Sequence, residues 1–114
     1  MTFQTTEVDD TNIVIINLPE KVSGEAADQL KIYIRELVDK GHYKLVMNLA
    51  ETTFMDSSGL GALVSKIAVT RANGGDVRLA HSQEYINNLL ELTHLDQVMK
   101  SFPKVIDAIR SFKE

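Results

Sequence analysis

The order of patterns along the chain predicts an α/β fold, a single domain spanning residues 1–114 with a mixed sheet of four to five strands and four helices packed against it. Two observations predict it. Strand-like stretches such as Ile13-Val14-Ile15-Ile16 and the alternating Leu45, Met47 and Leu49 are separated by stretches whose apolar residues recur at three- and four-residue steps. The chain also has 114 residues, 44% apolar and 25% charged, enough for one ordinary globular core without staples.

Each element follows from its residues. Phe3 to Val8 alternates weakly, Asp9-Asp10 and Thr11-Asn12 supply a turn, and Ile13 to Leu18 is β-branched, so the chain opens on two paired strands. Pro19 ends the second strand because it cannot donate to a ladder. From Ser23, a suitable N-cap, Ala27, Leu30, Ile34, Leu37 and Val38 form a helical stripe that Gly41 stops. Tyr43 to Leu49 is a third strand. A second helix is expected from about Ser57 to Asn73, closed by Gly74-Gly75, and Val77 to Ala80 is a fourth strand. Ser82 opens a helix carrying Ile86, Leu89, Leu90 and Leu92 on its apolar face. Gln97 to Phe102 has room for a last short strand. Beyond Pro103, which a first helical turn tolerates, Val105, Ile109 and Phe112 mark a terminal helix.

Composition excludes several functions. With no cysteine there is no disulfide framework, thiolate nucleophile or cysteine-based metal site. Twelve basic against sixteen acidic residues, net −4, argue against nucleic acid as partner, since that footprint needs a clustered basic face. No pair of histidines shares a helical face and the acidic residues are scattered, so neither a metal nor a cofactor is expected. The longest aliphatic run is far below the ~20 residues of a membrane span. MTFQTTEVDD has neither the basic start nor the apolar stretch of a signal peptide, so no membrane insertion and a cytoplasmic location are expected.

The informative stretch is Phe54-Met55-Asp56-Ser57-Ser58-Gly59-Leu60-Gly61, between a buried strand and the second helix. Asp56, Ser57 and Ser58 are good capping residues, whose oxygens accept from the free N–H groups of a first turn. Each glycine in a helix costs about 1 kcal/mol relative to alanine, so Gly59 and Gly61 point to a surface kept bare for close approach of a partner. Behind them Leu60, Leu63, Val64 and Ile67 fall on one side as core. The opposite side carries Gly61, Ala62, Ser65, Val69 and Ala72, small and apolar where a solvent face would be charged. Docking of another protein, or cover by a neighbouring helix of the same domain, would explain that face.

This stretch resembles the signature of the STAS domain in the bacterial anti-sigma factor antagonist family, and the order of elements resembles the family over nearly the whole chain. Leu92-Thr93-His94-Leu95 also resembles the family's pattern at that place. The resemblance implies a single STAS-type domain that is not an enzyme and needs no cofactor. It implies a partner that is an anti-sigma factor with serine kinase activity: binding that partner frees a sigma factor, and phosphorylation of Ser57 releases the partner. The partner-binding residues it implies are Asp56, Ser57, Ser58, Gly59, Leu60, Gly61, Ala62 and Ser65. Where the family carries an aspartate after the second strand this chain has Ser23, in Glu20-Lys21-Val22-Ser23, and Ser23 joins that set. A monomer or weak homodimer is the expected state.

Other classes leave weaker traces. A serine hydrolase would use Ser57 or Ser58 with Asp56 and a histidine, but its elbow places serine between glycines and none precedes Ser57. His42, His81 and His94 fall at turns or element ends. A nucleotide loop would need a third glycine or a following Lys-Ser/Thr. The alternative that keeps the fold is an accessory STAS subunit of a transporter or larger signalling complex, without a phosphorylation switch.

Overall fold

The computed structural model describes residues 3–113, so the expected domain limits at residues 1 and 114 lie outside the described residues. The weakly alternating opening and the β-branched run become β1 (Gln4–Val8) and β2 (Ile13–Asn17), paired antiparallel with Val8 opposite Ile13. Asp10 and Asn12 both adopt φ 61°, a left-handed conformation that their short polar side chains tolerate. Thr11 Oγ1 closes the turn, donating to the Val8 carbonyl at 2.7 Å and accepting from the Ile13 N–H at 3.1 Å.

The chain continues through β3 (Lys21–Val22), α1 (Gly24–Asp39), β4 (Lys44–Asn48), β5 (Phe54–Met55), α2 (Ser57–Val64), α3 (Ile67–Ala72), β6 (Asp76–Ala80), α4 (Glu84–Leu92), β7 (Ser101–Phe102) and α5 (Val105–Ser111). The main sheet has five strands in the order β1-β2-β4-β6-β7, with every pair after the first parallel. Parallel neighbours need long crossovers, and the helices supply them. Side chains alternate across each strand. Val14, Ile16, Leu45, Met47 and Leu49 therefore face a core closed by α1 to α4, while Ile13, Ile15 and Val46 face a smaller core closed by α5 through Ala108, Val105, Ile109 and Phe112. Cover on both faces explains why β2 reads as a continuous apolar run.

Three expectations change in detail. The helix expected over residues 57–73 is interrupted, because the Ser65 hydroxyl and N–H both turn back to the Ala62 carbonyl (2.8 and 3.3 Å) and Lys66 leaves helical geometry at φ −123°, ψ 18°. Counting α2 and α3 as one broken run, the four expected helices are present. Ser82 does not open α4. Its hydroxyl is engaged with Asn87 Oδ1 at 2.6 Å, Gln83 takes the N-cap position, and the helix starts at Glu84. Leu92 is not core either: it is 79% exposed, the helix having turned it away from the buried Ile86 and Leu90.

One polar cluster ties the far side together. Asp76 is buried at the start of β6; its Oδ1 accepts from Arg71 Nε at 2.9 Å and its Oδ2 from Arg78 Nε at 3.0 Å. Arg71 also donates to the Val98 carbonyl, and Arg78 donates to Ser111 Oγ at 2.7 Å while lying 4.2 Å over the Phe112 ring. One carboxylate thus joins α3, the segment before β7, and α5. Burial pushes the Asp76 pKa up, but hydrogen bonds from Arg78 and Arg71 and from the Val77 N–H outweigh it, and the net shift is downward. A carboxylate whose folded pKa is depressed adds stability that is complete above its unfolded value, about 3.9, and is lost as pH falls through the folded value. Asp76→Asn should therefore destabilise the protein by about 2–4 kcal/mol at pH 7. In urea unfolding the gap to the parent should narrow as pH drops below about 4.

Candidate functional site

The site is built where two strands too short to anticipate from sequence meet. β3 and β5 pair parallel, Lys21 with Phe54 and Val22 with Met55, in a sheet of their own. The next residue of each strand is a helix N-cap, Ser23 for α1 and Asp56 for α2. The pairing therefore places two helix N-termini side by side. The loop before β5 is held by Thr52, fully buried, whose hydroxyl donates to the Pro19 carbonyl at 2.9 Å. Gln83 Nε2 adds bonds to the Ala50 and Thr52 carbonyls, both at 3.0 Å.

Within the turn the expected roles divide. Asp56 caps: its Oδ1 accepts from the Gly59 N–H at 2.9 Å, and the backbone before α2 is extended. Ser57 and Ser58 are exposed. With Asp56 as the cap, the Ser57 hydroxyl takes no part in a hydrogen bond among the described residues. Ser23 is half-buried and occupies the N-cap position of α1 without a side-chain bond.

The two glycines serve different ends. A Cβ on Gly59 would stand 2.3 Å from the Val22 carbonyl oxygen and 2.5 Å from Met55 Cγ, so this glycine is bare because β3 passes there. The expected reason, approach of a partner, is corrected at Gly59. Gly61 is exposed with nothing within 4 Å of its missing side chain, and there the expected bare surface exists. Ala62 is 1% exposed and packs in the main core, as do Leu60 and Leu63. The small face is therefore narrower than the helical wheel implied: Ala62 is buried in the core, while Gly61, Val69 and Ala72 remain exposed and Ser65 is half-buried. Leu60 and Ala62 support the surface from beneath.

Sequence patterning missed one neighbour of the turn. Phe54 (41% exposed) and Tyr85 (47% exposed) stack with ring centroids 6.1 Å apart and planes 19° from parallel, beside the start of α2. No short-range signal links residues 54 and 85; only the packing of α4 beside β5 does. The histidines are not gathered at the turn by any hydrogen bond, and His81 and His94 are exposed in left-handed conformations. Among the described residues no group of three metal-ligating side chains converges, and no helix is long and apolar enough to cross a membrane.

A pair of two-residue strands, a capped turn with an exposed serine and a helix buried along one side make up the site. The STAS domain family matches residues 3–108, and the chain belongs to that family. Its relatives include a Thermotoga maritima protein, provisionally named an anti-sigma factor antagonist, 29% identical over an alignment of 108 residues that covers 93% of this chain and 93% of that one. A crystal structure bearing the same provisional name and organism superposes with a TM-score of 0.89 at 26% identity, over 98% of this chain and 95% of that one. The anti-sigma factor antagonist SpoIIAA, solved unphosphorylated, shares the fold at 22% identity with a TM-score of 0.82 over 98% and 96% of the two chains. The fold also recurs within the murine anion transporter Slc26a9, with a TM-score of 0.69 at 15% identity over 90% of this chain and 18% of the transporter.

The glycines give a paired test. Gly59→Ala should destabilise by about 1–3 kcal/mol, because a backbone carbonyl must move. Gly61→Ala, in open helical space, should stabilise by up to about 1 kcal/mol. Thermal or urea unfolding of both variants checks it, and equal effects would show that the β3 approach does not constrain the turn.

Proposed function

We propose that this chain is an anti-sigma factor antagonist: it binds a cognate anti-sigma factor that is also a serine kinase, frees a sigma factor, and is switched off by phosphorylation of Ser57. One observation carries the proposal. Asp56 caps α2 by accepting from the Gly59 N–H, leaving the neighbouring Ser57 hydroxyl exposed and uncommitted. The names of the relatives support the binding role. SpoIIAA, solved in a phosphorylated form as well, supports the switch by analogy.

In this reading the kinase supplies ATP, magnesium and the base, and this chain supplies a hydroxyl to accept the γ-phosphoryl group. The protein stays folded afterwards, because free N–H groups and the helix dipole favour an anion at an N-terminus. The change falls on the interface, where about −1.5 to −2 charges must be desolvated or repelled. Asp56 adds like-charge repulsion. Weakening a complex a hundredfold to a thousandfold takes roughly 3–4 kcal/mol, within reach of an uncompensated buried charge. The binding surface comprises Asp56, Ser57, Ser58 and Gly61, with Ser65 further along α2 and Ser23 beside Asp56 through the β3–β5 register. Gly59, Leu60 and Ala62 shape it from below. Ser23 places a neutral hydroxyl next to the phosphate site where the family carries an aspartate. The transporter-subunit alternative has the shared fold in its favour and no feature of the turn.

With the cognate kinase and Mg-ATP, Ser57→Ala should hold the partner whether or not ATP is present, and Ser57→Asp should bind it about a hundredfold more weakly. Calorimetric titration of both variants, with mass spectrometry of the Ser57 peptide, checks this. If Ser57→Ala loses binding, or Ser57→Asp binds like the parent, the switch lies elsewhere.

A further inference from the structure

Helix α1 carries two adjacent stripes. Ala27, Leu30, Ile34 and Val38 are buried in the core. Asp28, Lys31, Ile32 and Arg35, at i, i+3, i+4 and i+7, share the neighbouring side of the helix. This second stripe lines one wall of a groove of about 410 Å³, and Ser65 and Lys66 line the other. The second wall exists because the α2–α3 run breaks there, at the turn that takes Lys66 out of helical geometry. The groove thus collects three cations and one carboxylate on a chain whose net charge is −4. Among the described residues, every ion pair involves Glu7, His42, Arg71, Asp76 or Arg78, so Lys31, Arg35 and Lys66 pair with none. Between the cations lies Ile32, a large aliphatic side chain 39% exposed.

We infer that this groove docks an acidic amphipathic segment of a partner protein. Carboxylates of the segment meet Lys31, Arg35 and Lys66, and one aliphatic side chain seats on Ile32. Local charge selects this occupant: three cations against one carboxylate favour an acidic segment, and a compact anion would satisfy the cations yet leave Ile32 in water. The groove meets the proposed partner surface at Ser65, at the end of α2 opposite Ser57 and about 12 Å from it at 1.5 Å per residue over eight residues, so a phosphate on Ser57 leaves it open.

The test uses a fluorescein-labelled synthetic twelve-residue peptide with Glu and Leu at helical spacing, titrated by anisotropy, and its Lys-for-Glu counterpart. The acidic peptide should bind at least about tenfold tighter than the basic one and lose most of that preference in about 0.5 M salt. Its amide NMR shifts should concentrate at Lys31, Ile32, Arg35, Ser65 and Lys66. Lys31→Glu with Lys66→Glu should weaken it by about tenfold or more, and Ile32→Ser should weaken it while leaving the salt dependence unchanged. Lys31 and Ile32 are exposed and Lys66 is half-buried, and unchanged thermal melting confirms that the variants fold. Equal binding of the two peptides, shifts elsewhere, or equal affinity for polyglutamate or inorganic phosphate would overturn the proposal, the last by marking a plain anion site. Because no kinase is present, failure here is distinct from failure of the Ser57 switch.

Discussion

The backbone of β3 and the start of α2 come closer together than any side chain allows, and the working surface depends on that approach. Gly59 lies against the Val22 carbonyl, and the Val22–Met55 pairing fixes where α2 begins. A helix start held this way has its capping residue in place before any partner arrives. Asp56 can then serve the Gly59 N–H, and the serine after it is left without a structural duty. A side chain at residue 59 would push α2 off β3 and loosen cap and serine together.

The rest of the fold holds this turn rigid from behind. Leu60, Ala62 and Leu63 anchor α2 in the larger core. The break at Ser65–Lys66 gives the surface a second feature, bending the helical run so that a lysine joins the cations of α1. The Asp76 cluster, remote from the turn, joins α3 and β6 to the terminal helix through two arginines and closes the far side.

Much of this was legible in the residues. The β-branched run of β2, the alternation of β4 and the periodicity of α1 each carry enough repeats to mark an element by themselves. The Asp-Ser-Ser-Gly stretch announced a capped turn because capping is local chemistry between residues three apart. The illegible parts share a different origin. β3 and β5 have two residues each, too few for a period to register, and they exist only because each finds the other across the fold. Leu92 matched the apolar pattern of its helix but lay one step beyond the side that the sheet covers.

Local pattern thus settled the class of fold, the order of the principal elements and the place of the serine-bearing turn, since all three rest on interactions within a few residues. Packing settled the purpose of individual residues in that turn. Gly59 and Gly61 read alike in sequence, yet one is bare for a strand inside the molecule and the other faces open solvent. Ala62 and Gly61 are chain neighbours, yet only the first is buried. The stacked Phe54 and Tyr85 and the groove between Lys31 and Lys66 unite residues more than thirty positions apart. Such meetings follow from how helices and strands are stacked, and a one-dimensional pattern carries no record of what lies across a sheet or beside a helix.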